Sequence, residues 1–158
     1  MEAYFEHLIN AVYHAYQDIL IKKHGNIYPL RSATVKFGGF QLSYNWRGRT
    51  RLGKETIGNL TIYTKEIHLN ILFAYSLAGL KSDIQNFTEF FGFRKLINTI
   101  AHELAHCLMA NYKLNFGQQH EPEHAELTQD IEAFLWTLTE VKELERLQDW
   151  KELVKNLN

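Results

Sequence analysis

The chain has almost no cysteine, no dominant charge sign and no long apolar run. Cys107 is the single cysteine in 158 residues. That excludes an intramolecular disulfide framework, and with it every zinc site built from two or more thiolates. Lysine plus arginine number 17 against 18 aspartates and glutamates, so no global basic charge advertises a nucleic-acid binder. The longest uncharged run of note, Ile67 to Leu80, is 14 residues. A helix needs about 20 apolar residues to span a bilayer. Glu2 and Glu6 stand where a secretory signal would carry positive charge, so a cytoplasmic location with no membrane partner is expected. Internal repeats, low-complexity segments and dividing linkers are also lacking.

What is present is an ordinary globular composition, 46% hydrophobic and 22% charged. A chain of this length can bury roughly 70% of its unfolded surface, so a single domain over 1–158 needs no staple. Tyr4, Leu8, Ala11, Val12, Ala15, Tyr16 and Ile19 recur at spacings of three and four and predict a helix over 2–22. Lys22, Lys23 and His24 suit its C-terminus, and Gly25 can cap it. Ala33–Phe37, Gln41–Trp46, Gly58–Tyr63 and Glu66–Leu69 are short and rich in β-branched or aromatic residues, and they predict a small, mostly antiparallel sheet. A short helix over 71–80 and a polar connection over 81–89 follow. The second strong helical pattern covers 92–112, with Ile97, Ile100, Leu104 and Leu108 on one face. A loop over 111–122 precedes a third pattern from Glu123 to Leu157, broken near Thr139, whose last part carries Val141, Leu144, Leu147, Trp150 and Val154.

The second helix carries the chemistry. His102-Glu103-Leu104-Ala105-His106 is an H-E-x-x-H motif. Residues four apart on a helix lie one turn apart on one face, with Cβ atoms about 5–6 Å apart, so two imidazoles can meet one metal ion. Glu103 lies about 100° round from His102. It can flank the metal without binding it and take a proton from an activated water. By the same count the apolar stripe centres nearly opposite the two histidines, which leaves them free to face a cleft. A catalytic zinc takes three protein ligands and keeps one position open. Thirteen residues separate His106 from His120, enough to end the helix and return to the metal. Nineteen separate it from Glu126, which begins Glu126-x-x-x-Asp130, an arrangement similar to that of thermolysin-type proteases. Spacing alone leaves His120 and Glu126 as rivals. His124 is open to three readings: ligand, outer partner of a ligand, or histidine near a helix N-terminus without a role.

With His120-Glu121-Pro122-Glu123 following the motif, and Arg49-Thr50-Arg51-Leu52-Gly53, Gly58 and Ile67-His68-Leu69-Asn70 before it, the chain resembles the SprT-like family of zinc metalloproteases over roughly residues 35–130. The resemblance implies an α+β zincin-like domain with an N-terminal helix, a small sheet, an active-site helix and C-terminal helices. It implies Zn2+ held by His102, His106 and His120, Glu103 as the catalytic base, and hydrolysis of peptide bonds in a protein or peptide substrate. The chain departs from the family pattern in carrying Gln119 before the third histidine, His124 where an aromatic is usual, and no cysteine-rich ribbon.

Two other readings stand beside this one. One is a peptidase of the gluzincin type with Glu126 as third ligand. The other is a non-catalytic zinc-containing module that binds DNA or a partner protein. Trp46 to Lys54 places four cations and one aromatic in nine residues. Arg47, Arg49 and Arg51 there suit a weak DNA contact, against the plainer reading of a solvated hairpin with glycine turns. Tyr112 and His124 are candidates to steady an oxyanion. Cys107 is expected to be a buried small hydrophobe. Trp136 and Trp150 are expected in the core, and His7, His14, His24 and His68 as structural or surface residues.

Overall fold

The computed structural model describes residues 2–25, 34–80, 90–111 and 122–146. The first helical pattern forms α1, Glu2–His24, closed by Gly25 at φ +84°, whose N–H reaches the Ile21 carbonyl at 2.8 Å. Its buried face is Phe5, Leu8, Ile9, Val12, Tyr13 and Gln17. That is a rotation from the expected stripe, because Ala11 and Ile19 are exposed. The large rings of Phe5 and Tyr13 are fully enclosed and set the inward direction.

The sheet corrects the expectation in two ways. Its strands are β1 (Lys36–Gln41), β2 (Gly48–Ile57) and β3 (Leu60–Asn70), in the order β1-β3-β2. β2 and β3 form an antiparallel hairpin turning at Gly58, φ +60°, whereas β1 runs parallel to β3, so the sheet is mixed. Gln41–Trp46, expected as a strand, leads out of β1 into a loop, and the glycine-bearing stretch expected as turns is β2 itself. Gly48 and Gly53 act there by letting side chains approach the strand. A Cβ on Gly53 would sit 2.7 Å from Thr64 Oγ1. The two segments expected as separate strands after Gly58 are one continuous β3.

Along β3 the side chains alternate faces. Ile67 and Leu69 point to the core with Lys65, while Glu66, His68 and Asn70 occupy the other face. α2 (Leu72–Leu77) leads to α3 (Phe93–Met109). α3 is the centre of the molecule. Ile97, Ile100, Leu104 and Leu108 are fully buried, as the stripe requires, and so are Leu96, Ala101, Ala105 and Cys107 on its other sides. A helix apolar nearly all round is one covered all round, here by α1, the sheet and α4 (Pro122–Thr137). The third pattern breaks at Leu138, next to the expected Thr139, and continues as α5 (Thr139–Arg146), with Val141 and Leu144 buried. Trp136 packs edge-on against Phe93 at 5.7 Å. No helix among the described residues is long and apolar enough to cross a membrane. The 81–89 connection, Tyr112, Gln119, His120 and the segment with Leu147, Trp150 and Val154 lie outside the described residues.

Candidate metal centre

His102 and His106 occupy successive turns of α3, and their Nε2 atoms are 3.2 Å apart. His102 is half-buried and His106 buried. The two rings turn towards α4, which brings a third imidazole to them. His124 stacks on His106 with ring centroids 4.1 Å apart and meets His102 edge-on at 4.5 Å. Its Nε2 lies 3.0 Å from the His102 carbonyl oxygen, which can only accept a hydrogen bond. A neutral His124 therefore carries its proton on Nε2 and its lone pair on Nδ1.

One ligand nitrogen from each of these three residues lies within 4.8 Å of the other two. The residues fit a metal ion. Tetrahedral ligands at about 2.0–2.1 Å from zinc stand about 3.3 Å from one another, close to the 3.2 Å between His102 and His106. An all-imidazole set also suits zinc, copper, iron or nickel over calcium or magnesium.

The structure brings His124 to the His102–His106 pair. The described residues do not include His120. Glu126 is exposed. It lies two residues beyond His124, about 200° round the helix, and is absent from the converging group. His124 had a sequence signal. It is in phase with Leu127, Thr128, Ile131 and Leu135, the buried stripe of α4.

Glu103 lies on the side of α3 covered by β2. It is only 5% exposed. Thr50 Oγ1 donates to its Oε2 at 2.5 Å. Burial pushes the carboxyl up to about 7, against the opposing effects of the Thr50 hydrogen bond and the Arg47 guanidinium. A carboxylate poised near neutrality is matched to accepting and returning a proton. The close approach depends on Gly48, where a Cβ would lie 2.6 Å from Thr99 Cγ2 and 3.0 Å from Glu103 Cγ.

Arg49 and Arg51 are exposed on the outer sheet face, in register with His68 and Glu66. Arg47 precedes β2 and is half-buried towards Glu103. His68, expected to be structural or at the surface, is buried over Gly38 and lies 2.7 Å from Glu66 Oε1. Comparison of the chain with family models, with curated proteins and with solved structures finds no match.

Proposed function

We propose that the protein is a zinc-dependent endopeptidase of the SprT-like kind, with His102 and His106 as two ligands, His124 as the third and Glu103 as the general base. The observation that carries this reading is the combination on α3: two imidazole nitrogens 3.2 Å apart, and one residue along from His102 a buried carboxylate oriented by Thr50. A metal held only for structure has no use for such a carboxylate. Zinc, when bound, supplies Lewis acidity for a water and for the scissile carbonyl. Glu103 receives the water's proton on its carboxylate and returns it to the leaving amine. Thr50 keeps the carboxylate in one rotamer, and the His102 carbonyl holds the His124 ring. Among the described residues β2 pairs only with β3, and its Thr50 and Gly48 meet Glu103, so an extended peptide can add to its other edge through backbone hydrogen bonds.

The test is zinc content and cleavage of a denatured protein by wild type and Glu103→Gln. The expected result is one zinc per chain in both, with activity lower by on the order of 10²–10⁴-fold in the variant. Equal activity in the two proteins sinks the enzymatic reading. The third ligand is decided by zinc retention in His124→Ala, His120→Ala and Glu126→Ala. Loss is expected in the first. Loss only in the second would restore the ligand set that the family resemblance implies, and loss only in the third would make the site a gluzincin.

A further inference from the structure

The β2–β3 hairpin runs on past the rest of the sheet. β1 pairs with β3 only over Glu66–Asn70, so among the described residues Leu60–Lys65 pairs with β2 alone. From Gly53 to Ile57 and from Leu60 to Thr64 every residue except Tyr63 is exposed. A ribbon of two strands is marginal by itself, and further strands with a shared apolar face are the usual remedy. We propose that the open edge of β3 over Leu60–Thr64 pairs antiparallel with the same segment of a second copy of this chain, making a two-fold dimer in which the hairpins join in the order β2-β3-β3-β2. The proposal is independent of the metal centre and of the peptidase reading.

Three observations carry the proposal. The first is the phase of the backbone. The N–H of Asn70 turns towards β2 and reaches the Arg47 carbonyl at 2.9 Å, while that of Ile71 turns to the β1 side and reaches the Gln41 carbonyl at 3.0 Å. These directions alternate along a strand, and the β2–β3 register is unbroken from Leu69 to Leu60. Thr61 and Tyr63 therefore aim their N–H and C=O groups at the open edge. The second is the absence of the usual safeguards. Leu60-Thr61-Ile62-Tyr63-Thr64 has no charge, proline or glycine, the residues that ordinarily keep an exposed edge from pairing. A second copy meets no like charge there. The third is exposed apolar surface at the same place. Ile57 is 63%, Leu60 61% and Ile62 39% exposed. Ile57 is opposite Leu60, and Ile62 is next along on the same face.

The register follows from the space that β1 leaves. A two-fold axis at Ile62 sets Leu60 opposite Thr64, Thr61 opposite Tyr63 and Ile62 opposite its own copy. Thr61 and Tyr63 then exchange both N–H···O bonds across the axis, and Ile62 falls at a non-hydrogen-bonded pair, where Cα atoms are about 4.5 Å apart and side chains are closest. The β-branched Thr61 opposite the ring of Tyr63 is a favourable cross-strand pair. Centring the axis at Tyr63 would set Leu60 opposite Glu66, whose edge β1 already holds. Centring it at Thr61, nearer the turn, shortens the ladder. Ile62 is thus the centre of the longest ladder that fits, and the same patch serves both copies, as two-fold symmetry requires.

The experiment is sedimentation equilibrium of the full chain between about 1 μM and 100 μM, the range expected for a small interface. The expected result is a mass that rises from monomer to dimer. Ile62→Lys, at an exposed position that the fold does not need, should weaken association by about 10-fold or more, because it sets like charges directly opposite each other. Ile62→Glu alone should do the same, and an equimolar mixture of the two variants should regain association, since only this register brings position 62 opposite itself. A second measurement is air oxidation of Ile62→Cys, whose geometry suits a disulfide between copies, against Ile57→Cys, equally exposed but on the far strand. Cys107 is buried and does not compete. Cross-linking in the first and not in the second is expected. A monomer at every concentration, a dimer that Ile62→Lys leaves unchanged, a mixture that stays monomeric, or equal cross-linking of the two cysteine variants would each overturn the proposal. So would a monomer that instead binds phosphatidylserine-containing vesicles through Ile62, which would make the patch a lipid contact.

Discussion

At the scale of single residues, the site contrasts two ionisable groups one turn apart on the same central helix. Glu103 keeps a hydrogen-bond donor and a nearby cation, so burial raises it only to about 7. Cys107 is enclosed completely, and burial pushes its thiol up to about 12 despite the opposing charge of Lys65. A thiol that neither ionises nor meets solvent is inert. Cys107 is therefore expected to resist iodoacetamide at pH 8 in the native protein and to alkylate at the ordinary cysteine rate in denaturant, as mass spectrometry would show. Fast native labelling would contradict its burial. The plain reading of Cys107 from sequence, a small core hydrophobe, agrees with its position. The pairing of Thr50 with Glu103 was not legible, because nothing local links residues 53 apart in the chain.

At the scale of elements, the position of β2 against α3 decides whether Glu103 is dry and oriented. Gly48 makes that contact possible. Gly48→Ala forces the Cβ into Thr99 and the Glu103 stem, so β2 or the Glu103 rotamer must shift. The expected cost is about 1–3 kcal/mol of stability in urea titrations. A loss of activity of on the order of 10²-fold should accompany it, since small misplacements of reacting groups are expensive. Unchanged stability and activity would show that the contact is slack. Helix α3 and the α4–α5 break were readable because a helical period repeats over four or more turns. The sheet was less so. Gly48 and Gly53 and the β-branched residues around Gly58 look alike in a turn and in a strand, and only pairing with β3 distinguishes them.

At the scale of the whole molecule, one polar cluster ties α1, β3 and the end of α3 together. Lys65, 2% exposed, donates to Asn111 Oδ1 at 2.5 Å and to Tyr13 Oη at 3.1 Å, and Asn111 Nδ2 donates to the same hydroxyl at 2.8 Å. An ammonium group beyond the last turn of α3 also faces the negative end of that helix. Burial lowers Lys65 from 10.5 to about 8. The unfolded chain then holds this proton more tightly than the native one between those two values, so stability rises with pH across that window. Full titration corresponds to on the order of 3 kcal/mol. Denaturation of wild type and Lys65→Met at pH 7.5 and pH 10 should show the wild type gaining relative to the variant by part of that amount. A difference independent of pH would mean that the native lysine titrates normally.

The amino-acid sequence by itself determined helix α3, the spacing of His102 and His106, and the carboxylate between them. These depend on the fixed geometry of a helix, in which residue separation dictates direction. Only the tertiary structure decided that β1 runs parallel to β3, that Lys65 is enclosed, and that Thr50 and Gly48 meet Glu103. Each of those joins segments far apart in the chain, where strand register and packing, rather than local period, set the outcome.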